Sequence, residues 1–294
     1  MSLHFVSHAQ IDFARWDEAI QNCYNENPYA YSGWLNIVCP QWCALVNSDY
    51  SILMPLPVKV KLGIPYISQP PFTQQLGIFA SQAVDSTFIE KALESIPKKY
   101  LKVYLQFNTD NAPFEHSHER PTYGISLNRP YEALYNEFNA HHKRNVSKAV
   151  ALNQAGQINI IASTDGSLFI NLFKQTVGQK DSTLKRRDYL IMERILASGQ
   201  GQILFCTGSS GEVLAGLFYL MSRTKTVNLF NFNTAGGRSS KAMYLLVNHW
   251  IKCTSSQNLW LDFEGSEIPS IARFYLGFGG LEKKYQTFTK KIFS

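Results

Sequence analysis

Residues 259–280, LWLDFEGSEIPSIARFYLGFGG, run apolar into two carboxylates, Asp262 and Glu264. Gly265 then permits a tight exit, Ser266 is placed to cap a helix, and that helix ends on Gly-Phe-Gly-Gly. If the strand carries through Phe263, both acids project to one side at its C-terminal end, where open sheets commonly take ligands. A carboxylate there can accept the proton of an attacking ammonium or hold that ammonium in place. The same two acids equally suit helix capping and pairing with Arg273, and residue type and spacing leave both readings open.

A second constellation is NTAGGRSSKAMYLL, residues 233–246, between an apolar strand and a strongly periodic helix. Gly236 and Gly237 free the backbone to curl, Ser239 or Ser240 can cap, and Arg238 and Lys241 supply charge. Such a strand, glycine-rich loop and helix suit a phosphate or pyrophosphate. The spacing matches neither a Walker loop nor a dinucleotide fingerprint, and a plain connection with a good N-cap fits as well.

Positive charge gathers in HHKRNVSKA (Lys143, Arg144, Lys148) and KRR (Lys185, Arg186, Arg187), with further Lys pairs at 283–284 and 290–291. These clusters fit an anionic substrate or cofactor, or else ordinary solvated faces. His141 and His142 are adjacent and leave a helix in different directions. They therefore read as a basic, solvent-facing or phosphate-touching surface and not as a shared metal site. His116 and His118 read as loop surface. No Ser-His-Asp or Cys-His order with a nucleophile elbow is present, and no metal is expected.

These groups are positioned by a chain of 294 residues that is 45% hydrophobic and 17% charged, with a formal net charge of +6. That balance is mild for a dedicated nucleic-acid binder and rich in core material. Five scattered cysteines disfavour a disulfide framework. Cys39 and Cys43 can share a helix face, but without a third ligand nearby they read as core thiols. The N-terminus lacks a basic region leading into an apolar stretch, and the longest uncharged run is broken by Pro and Asn. We therefore expect no membrane insertion and a cytoplasmic location.

Two amphipathic stretches, FARWDEAIQNCY and YSGWLNIVC, precede strands WCALVN, YSILMPLPVKVK, IPYIS and QQLGIF. A helix from Ser86 and a buried strand YLKVYLQF follow. After YGISL, a long helical segment over about 130–156 leads into INIIA, two helices, three consecutive strands, the helix SSKAMYLLVNHWIKCT, NLWLDF, a further helix and LEKKYQTFT. Helix, helix, meander, helix, strand thus occurs twice. The economical reading is two copies of one α+β unit, over 1–140 and 141–294, joined within 130–156.

LPVKVKLGIPYISQPPFTQQLGIF, KRNVSKA, GEVLAGLFYL, KAMYLLVNHWI and above all LDFEGSEIPSIARFYLGFGG resemble the Fem-type (FemABX) aminoacyltransferases, the methicillin-resistance factors that build peptidoglycan bridges in the cell wall. The resemblance runs from about residue 30 to the end. It implies two tandem GNAT-like domains, each a mixed, mainly antiparallel sheet flanked by helices. It also implies transfer of an aminoacyl group from charged tRNA to an amine on a cell-wall precursor; relatives of the fold use acyl-CoA or an acyl carrier.

No permanently bound cofactor is implied, only aminoacyl-tRNA or acyl-CoA as co-substrate, with Lys143, Arg144, Lys148, Lys185, Arg186 and Arg187 offering phosphate contacts to a tRNA. Gly236, Gly237, Arg238, Ser239, Ser240 and Lys241 would then hold donor phosphate, Glu264 or Asp262 would take the amine proton, and Tyr275 would donate to the oxyanion. The family carries Phe-Lys before the Gly-Phe where this chain has Phe274 and Tyr275. It carries a lysine after an N-terminal tryptophan motif where this chain has Trp34 followed by Leu35, Asn36, Ile37 and Val38. A tyrosine donates one hydrogen bond but no positive charge. A nucleotide-linked precursor thereby loses two expected cations, and a non-catalytic binding relative of the fold is the alternative to an enzyme.

Overall fold

The computed structural model describes residues 3–179, 183–265 and 269–291. The first part of the chain forms β1 (His4–Val6), α1 (Phe13–Asn22), α2 (Ser32–Val38), β2 (Cys43–Val46), β3 (Ile52–Leu56), β4 (Val58–Lys61), β5 (Ile64–Ser68), β6 (Phe79–Ala80), α3 (Ser86–Glu94) and β7 (Lys102–Gln106). β8 (His118–Ser126) leads to α4 (Tyr131–Asn136), α5 (Ala140–Gln154), β9 (Ile158–Ser163), α6 (Gly166–Thr176) and α7 (Arg186–Ala197). Then come β10 (Gly201–Gly208), β11 (Val213–Met221), β12 (Lys225–Asn233), α8 (Ala235–Ser240), α9 (Ala242–Thr254), β13 (Trp260–Asp262), α10 (Pro269–Leu276) and β14 (Leu281–Lys291). The repeated order read from the sequence is present: two helices, a meander, a helix and a strand in each part.

Two compact units result. One comprises Met1–Thr122, Ser222–Thr224 and Lys283–Ser294, the other Tyr123–Met221 and Lys225–Glu282. The division falls within β8, ahead of the helical segment 130–156 where the sequence placed it, and β14 from Lys283 onward lies with the first unit.

In the first unit, β1, β2, β3 and β6 form one antiparallel sheet, and β4, β5, β7 and β14 follow one another in a second. α1 starts where Asp12 accepts the Arg15 N–H at 3.1 Å, and buries Trp16 and Ile20 one turn apart. Trp16, Trp34 and Trp42 are fully buried, each contributing about 2–3 kcal/mol of hydrophobic stabilisation. The cap of α3 is Asp85, which accepts the Phe88 N–H at 2.8 Å, and not the neighbouring Ser86. Cys39 lies just past α2 and Cys43 in β2, so they do not share a helix face; all five thiols are free, and Cys253 alone is exposed.

In the second unit the strand order is β8, β13, β12, β11, β10, β9. α5 and α9 cover one face, with Val146, Ala149, Leu246 and Trp250 packed among Leu204, Leu217 and Tyr219. α6 covers the other face through Phe169, whose ring meets Phe205, Phe218 and Phe232 at 6.0, 6.5 and 5.1 Å, and α7 packs on α6. Most pairings are antiparallel. In each unit, however, the last meander strand runs parallel to the strand after the next helix, β5 with β7 and β12 with β13.

Candidate active site

β12 and β13 pair through Lys225 with Trp260, Thr226 with Leu261 and Val227 with Asp262. Beyond that register β12 continues to Asn233 while β13 ends, so the strands part. The cause lies in the sequence after Leu261. Asp262 accepts the Glu264 N–H at 2.9 Å, a local side-chain turn that competes with strand pairing, and Glu264 takes a left-handed backbone with φ of 51°. That conformation costs a non-glycine residue about 1 kcal/mol.

The two carboxylates therefore do not project together from a continuing strand, as the spacing suggested. Asp262 is buried and spends an oxygen on the turn, while Glu264 is half-buried at the fork. Ser266, the expected cap, lies outside the described residues.

Tyr275 comes from α10 and is 6% exposed. Its ring stacks on Phe263 at 4.5 Å and 11°. Its oxygen accepts the amide N–H groups of Asn228 at 3.1 Å and Asn231 at 3.3 Å. Residues three apart in a regular strand face opposite ways. The register of β12 against β11 slips between Phe218 and Tyr219, whose partners are Phe230 and Asn228, leaving Leu229 as a bulge. The bulge turns Asn228 and Asn231 to the same side.

Burial above all, with the Glu264 charge adding to it against the two amide bonds, pushes the Tyr275 phenol up to about 12. At neutral pH it is uncharged, and with its oxygen accepting two bonds its own proton is left to donate. Sequence reasoning missed both asparagines. The signal was available in KTVNLFNFN, where amides interrupt an otherwise apolar buried strand.

His142 is a further correction. It is buried, not a basic surface group, with Nε2 at 2.8 Å from the Phe274 carbonyl and Nδ1 at 3.0 Å from Asn139 Oδ1. Burial lowers its pKa, and neighbouring His141 lowers it further. The ring pins α10, and with it Tyr275, to α5.

The glycine-rich stretch also differs from expectation. Residues 235–240 are already helical, capped by Thr234, which accepts the Gly237 N–H at 3.0 Å. Ser239 and Ser240 do not cap; their hydroxyls donate back to the carbonyls of Ala235 and Gly236 at 3.2 and 2.9 Å. Gly237 is a packing glycine, since a Cβ there would lie 2.1 Å from the Leu214 carbonyl oxygen. Lys241, at φ of 63°, separates α8 from α9. Arg238 is exposed and donates to the Asn233 carbonyl at 2.8 Å.

Lys143, Arg144 and Lys148 lie on α5 and Lys185, Arg186 and Arg187 at the start of α7, on opposite helical layers of the sheet. Arg144 and Lys148 are exposed one turn apart, while Lys143 donates to the Asn136 carbonyl at 2.8 Å. The structure thus brings Glu264, Tyr275 and Asp262 together and does not merge the two basic clusters. Val38 and Trp34 are buried on α2, where the Trp34 indole N–H donates to Thr73 Oγ1 at 3.0 Å. No group of three or more His, Cys, Asp or Glu suited to a metal exists among the described residues. No helix among them is long and apolar enough to cross a membrane.

No family model matches the sequence, and no curated protein is similar to it in sequence. Solved structures are similar in fold. FemX superposes over 94% of this chain and 96% of its own, at 11% identity and a TM-score of 0.70. A conserved protein of unknown function from Bacteroides thetaiotaomicron VPI-5482 does so over 94% and 97%, at 12% identity and 0.59. A tandem GNAT protein from the clavulanic acid biosynthesis pathway does so over 98% of each chain, at 9% identity and 0.51. Identity at this level speaks for the fold alone: the chain is built as two tandem GNAT-like domains, in the arrangement of elements found in FemX.

Proposed function

We propose that this protein is an N-acyltransferase whose chemistry runs in the second unit, at the fork between β12 and β13. The observation that carries the reading is the Tyr275 phenol, held by Asn228 and Asn231 beside Glu264. An amine attacks an activated acyl carbonyl, a C–N bond forms, and the bond to the leaving oxygen or sulfur breaks. Glu264 takes the amine proton, Tyr275 donates to the developing oxyanion, and the leaving group departs with a proton. Asp262 holds the turn that aims Glu264.

The donor we propose is aminoacyl-tRNA, which the Fem-type resemblance implies, with phosphates met by Arg144 and Lys148 and by the Lys185–Arg187 cluster. The acceptor is an amine on a small molecule or cell-wall precursor. One observation favours acyl-CoA as a second reading. The two basic clusters lie on opposite layers, whereas Arg238 and Lys241 follow directly on β12 and suit one pyrophosphate. Binding of a labelled, charged tRNA pool at low and moderate salt, with CoA as competitor, decides between them. Affinity that falls steeply with salt and ignores CoA supports the tRNA donor. Displacement by CoA together with thioester turnover supports the second reading, and absence of any transfer defeats both.

A further inference from the structure

The hairpin of β4 and β5 carries a feature that acyl transfer does not use. Val58 pairs with Ile67, Lys59 with Tyr66, Val60 with Pro65 and Lys61 with Ile64, leaving Leu62 and Gly63 as a two-residue turn with φ of 52° and 79°. Such a turn favours Asn-Gly or Gly-Gly, because both central residues need positive φ. Leucine is a poor choice here. It is strained by its left-handed backbone, and its side chain is 92% exposed, flanked by Val60 at 67% and Ile64 at 55%. Neither the turn nor any core explains three large apolar groups at that spot.

The surroundings narrow what they meet. β5 pairs with β7 from Ile67, opposite Val103, so the tip stands about 13 Å beyond the sheet at roughly 3.3 Å per residue. A narrow wedge of this kind offers far less than the roughly 800 Å² a stable protein interface needs from each partner. Lysines line the hairpin: Lys61 stands beside the turn opposite Ile64, Lys59 opposite Tyr66, and Lys98, Lys99 and Lys102 lead into β7 at the same end, all but Lys59 exposed. Lys59 donates to the Gln69 carbonyl at 3.0 Å and Lys99 lies over the Phe5 and Tyr100 rings. Lys61, Lys98 and Lys102 remain as exposed cations, with Lys61 and Lys102 on the hairpin and on the strand that pairs with it. Lys61 stands opposite Ile64 inside the apolar tip and Lys102 lies behind it, so a lysine whose aliphatic stem runs from the acyl region out to the headgroups, with a second cation at the rim, matches the depth profile of an anionic bilayer.

We propose that the Val60–Ile64 tip is a docking wedge for an anionic lipid membrane surface, with Leu62 entering the acyl region and Lys61 and Lys102 meeting the headgroups. This inference is independent of the acyl-transfer reading. The test is co-sedimentation of the full chain with phosphatidylcholine vesicles, with and without phosphatidylglycerol, alongside sedimentation velocity of the protein alone. Wild type is expected on the anionic vesicles. Leu62→Asn, which suits the turn better and should leave the melting temperature unchanged or higher, should partition about tenfold less or weaker still. The pair Lys61→Glu and Lys102→Glu should abolish the preference for anionic over neutral vesicles. Failure of the wild type to bind either vesicle overturns the proposal, as does Leu62→Asn binding like wild type. Self-association lost on Leu62→Asn would make a second copy the occupant and overturn it equally.

Discussion

Tyr275→Phe removes one oxygen and leaves the ring stacked on Phe263, so its effects separate the phenol from the packing. In the folded protein the Asn228 amide loses its acceptor at 3.1 Å inside the core, whereas Asn231 keeps a second bond to Asn228 Oδ1 at 3.3 Å. One unsatisfied buried donor costs about 1–3 kcal/mol, to be read from urea unfolding at pH 7. The pH dependence adds a second signature. Burial raises the phenol from 10.0 to about 12, so an unfolded chain releases this proton near pH 10 while the folded chain holds it. Stability from this group is complete below pH 10 and is lost as pH rises through 12. At about 1.4 kcal/mol per unit over two units, wild type loses about 3 kcal/mol relative to Tyr275→Phe in that window, enough to cancel its advantage at pH 7. If the phenol also donates to the oxyanion, turnover falls about 100- to 1,000-fold in the variant at neutral pH. Destabilisation with unchanged turnover would reduce Tyr275 to a structural group and refute the mechanism.

Other outcomes follow from the same geometry. Glu264→Gln should cost more than about tenfold in turnover if Glu264 takes the amine proton. Glu264→Asn should lose the same activity while keeping or gaining up to about 1 kcal/mol, because Asn tolerates the left-handed backbone at φ of 51°; a loss of stability would show that the strain is not stored there. His142 has its pKa lowered chiefly by burial, so the unfolded chain takes up a proton near the ordinary value while the folded chain resists it. Stability should therefore decline below about pH 6.5, by at most about 1.4 kcal/mol per pH unit from this group, and His142→Gln should flatten that slope in urea melts at pH 7.5 and 5.5. Equal slopes in the two proteins would remove His142 as the cause.

The repeated α+β order was legible because it rests on local periodicity. The short apolar run of WCALVN and the helical spacing of Trp16 and Ile20 or of Leu246 and Trp250 are properties of neighbours a few residues apart. The site was legible only as a list of types: the acids at 262 and 264 and Tyr275 were named from one stretch, but not their arrangement. Asp262 turned inward to bond the Glu264 amide, Ser239 and Ser240 bonded back along their own helix, and His142 went into the core against Phe274. Each outcome depended on a competition between a local bond and a distant one that spacing does not rank.

Tertiary structure alone decided the Tyr275 environment. Its partners lie 47 and 44 positions away, and the His142 contact that holds its helix spans 132. Only the slip of register at Leu229, set by how β12 lies on β11, puts the two asparagines on one side. The sequence determined which helices and strands form and which faces they bury, since those follow from the period of apolar residues. Which polar groups meet at the fork was left to long-range strand register, because a one-residue shift there exchanges every side chain between the two faces.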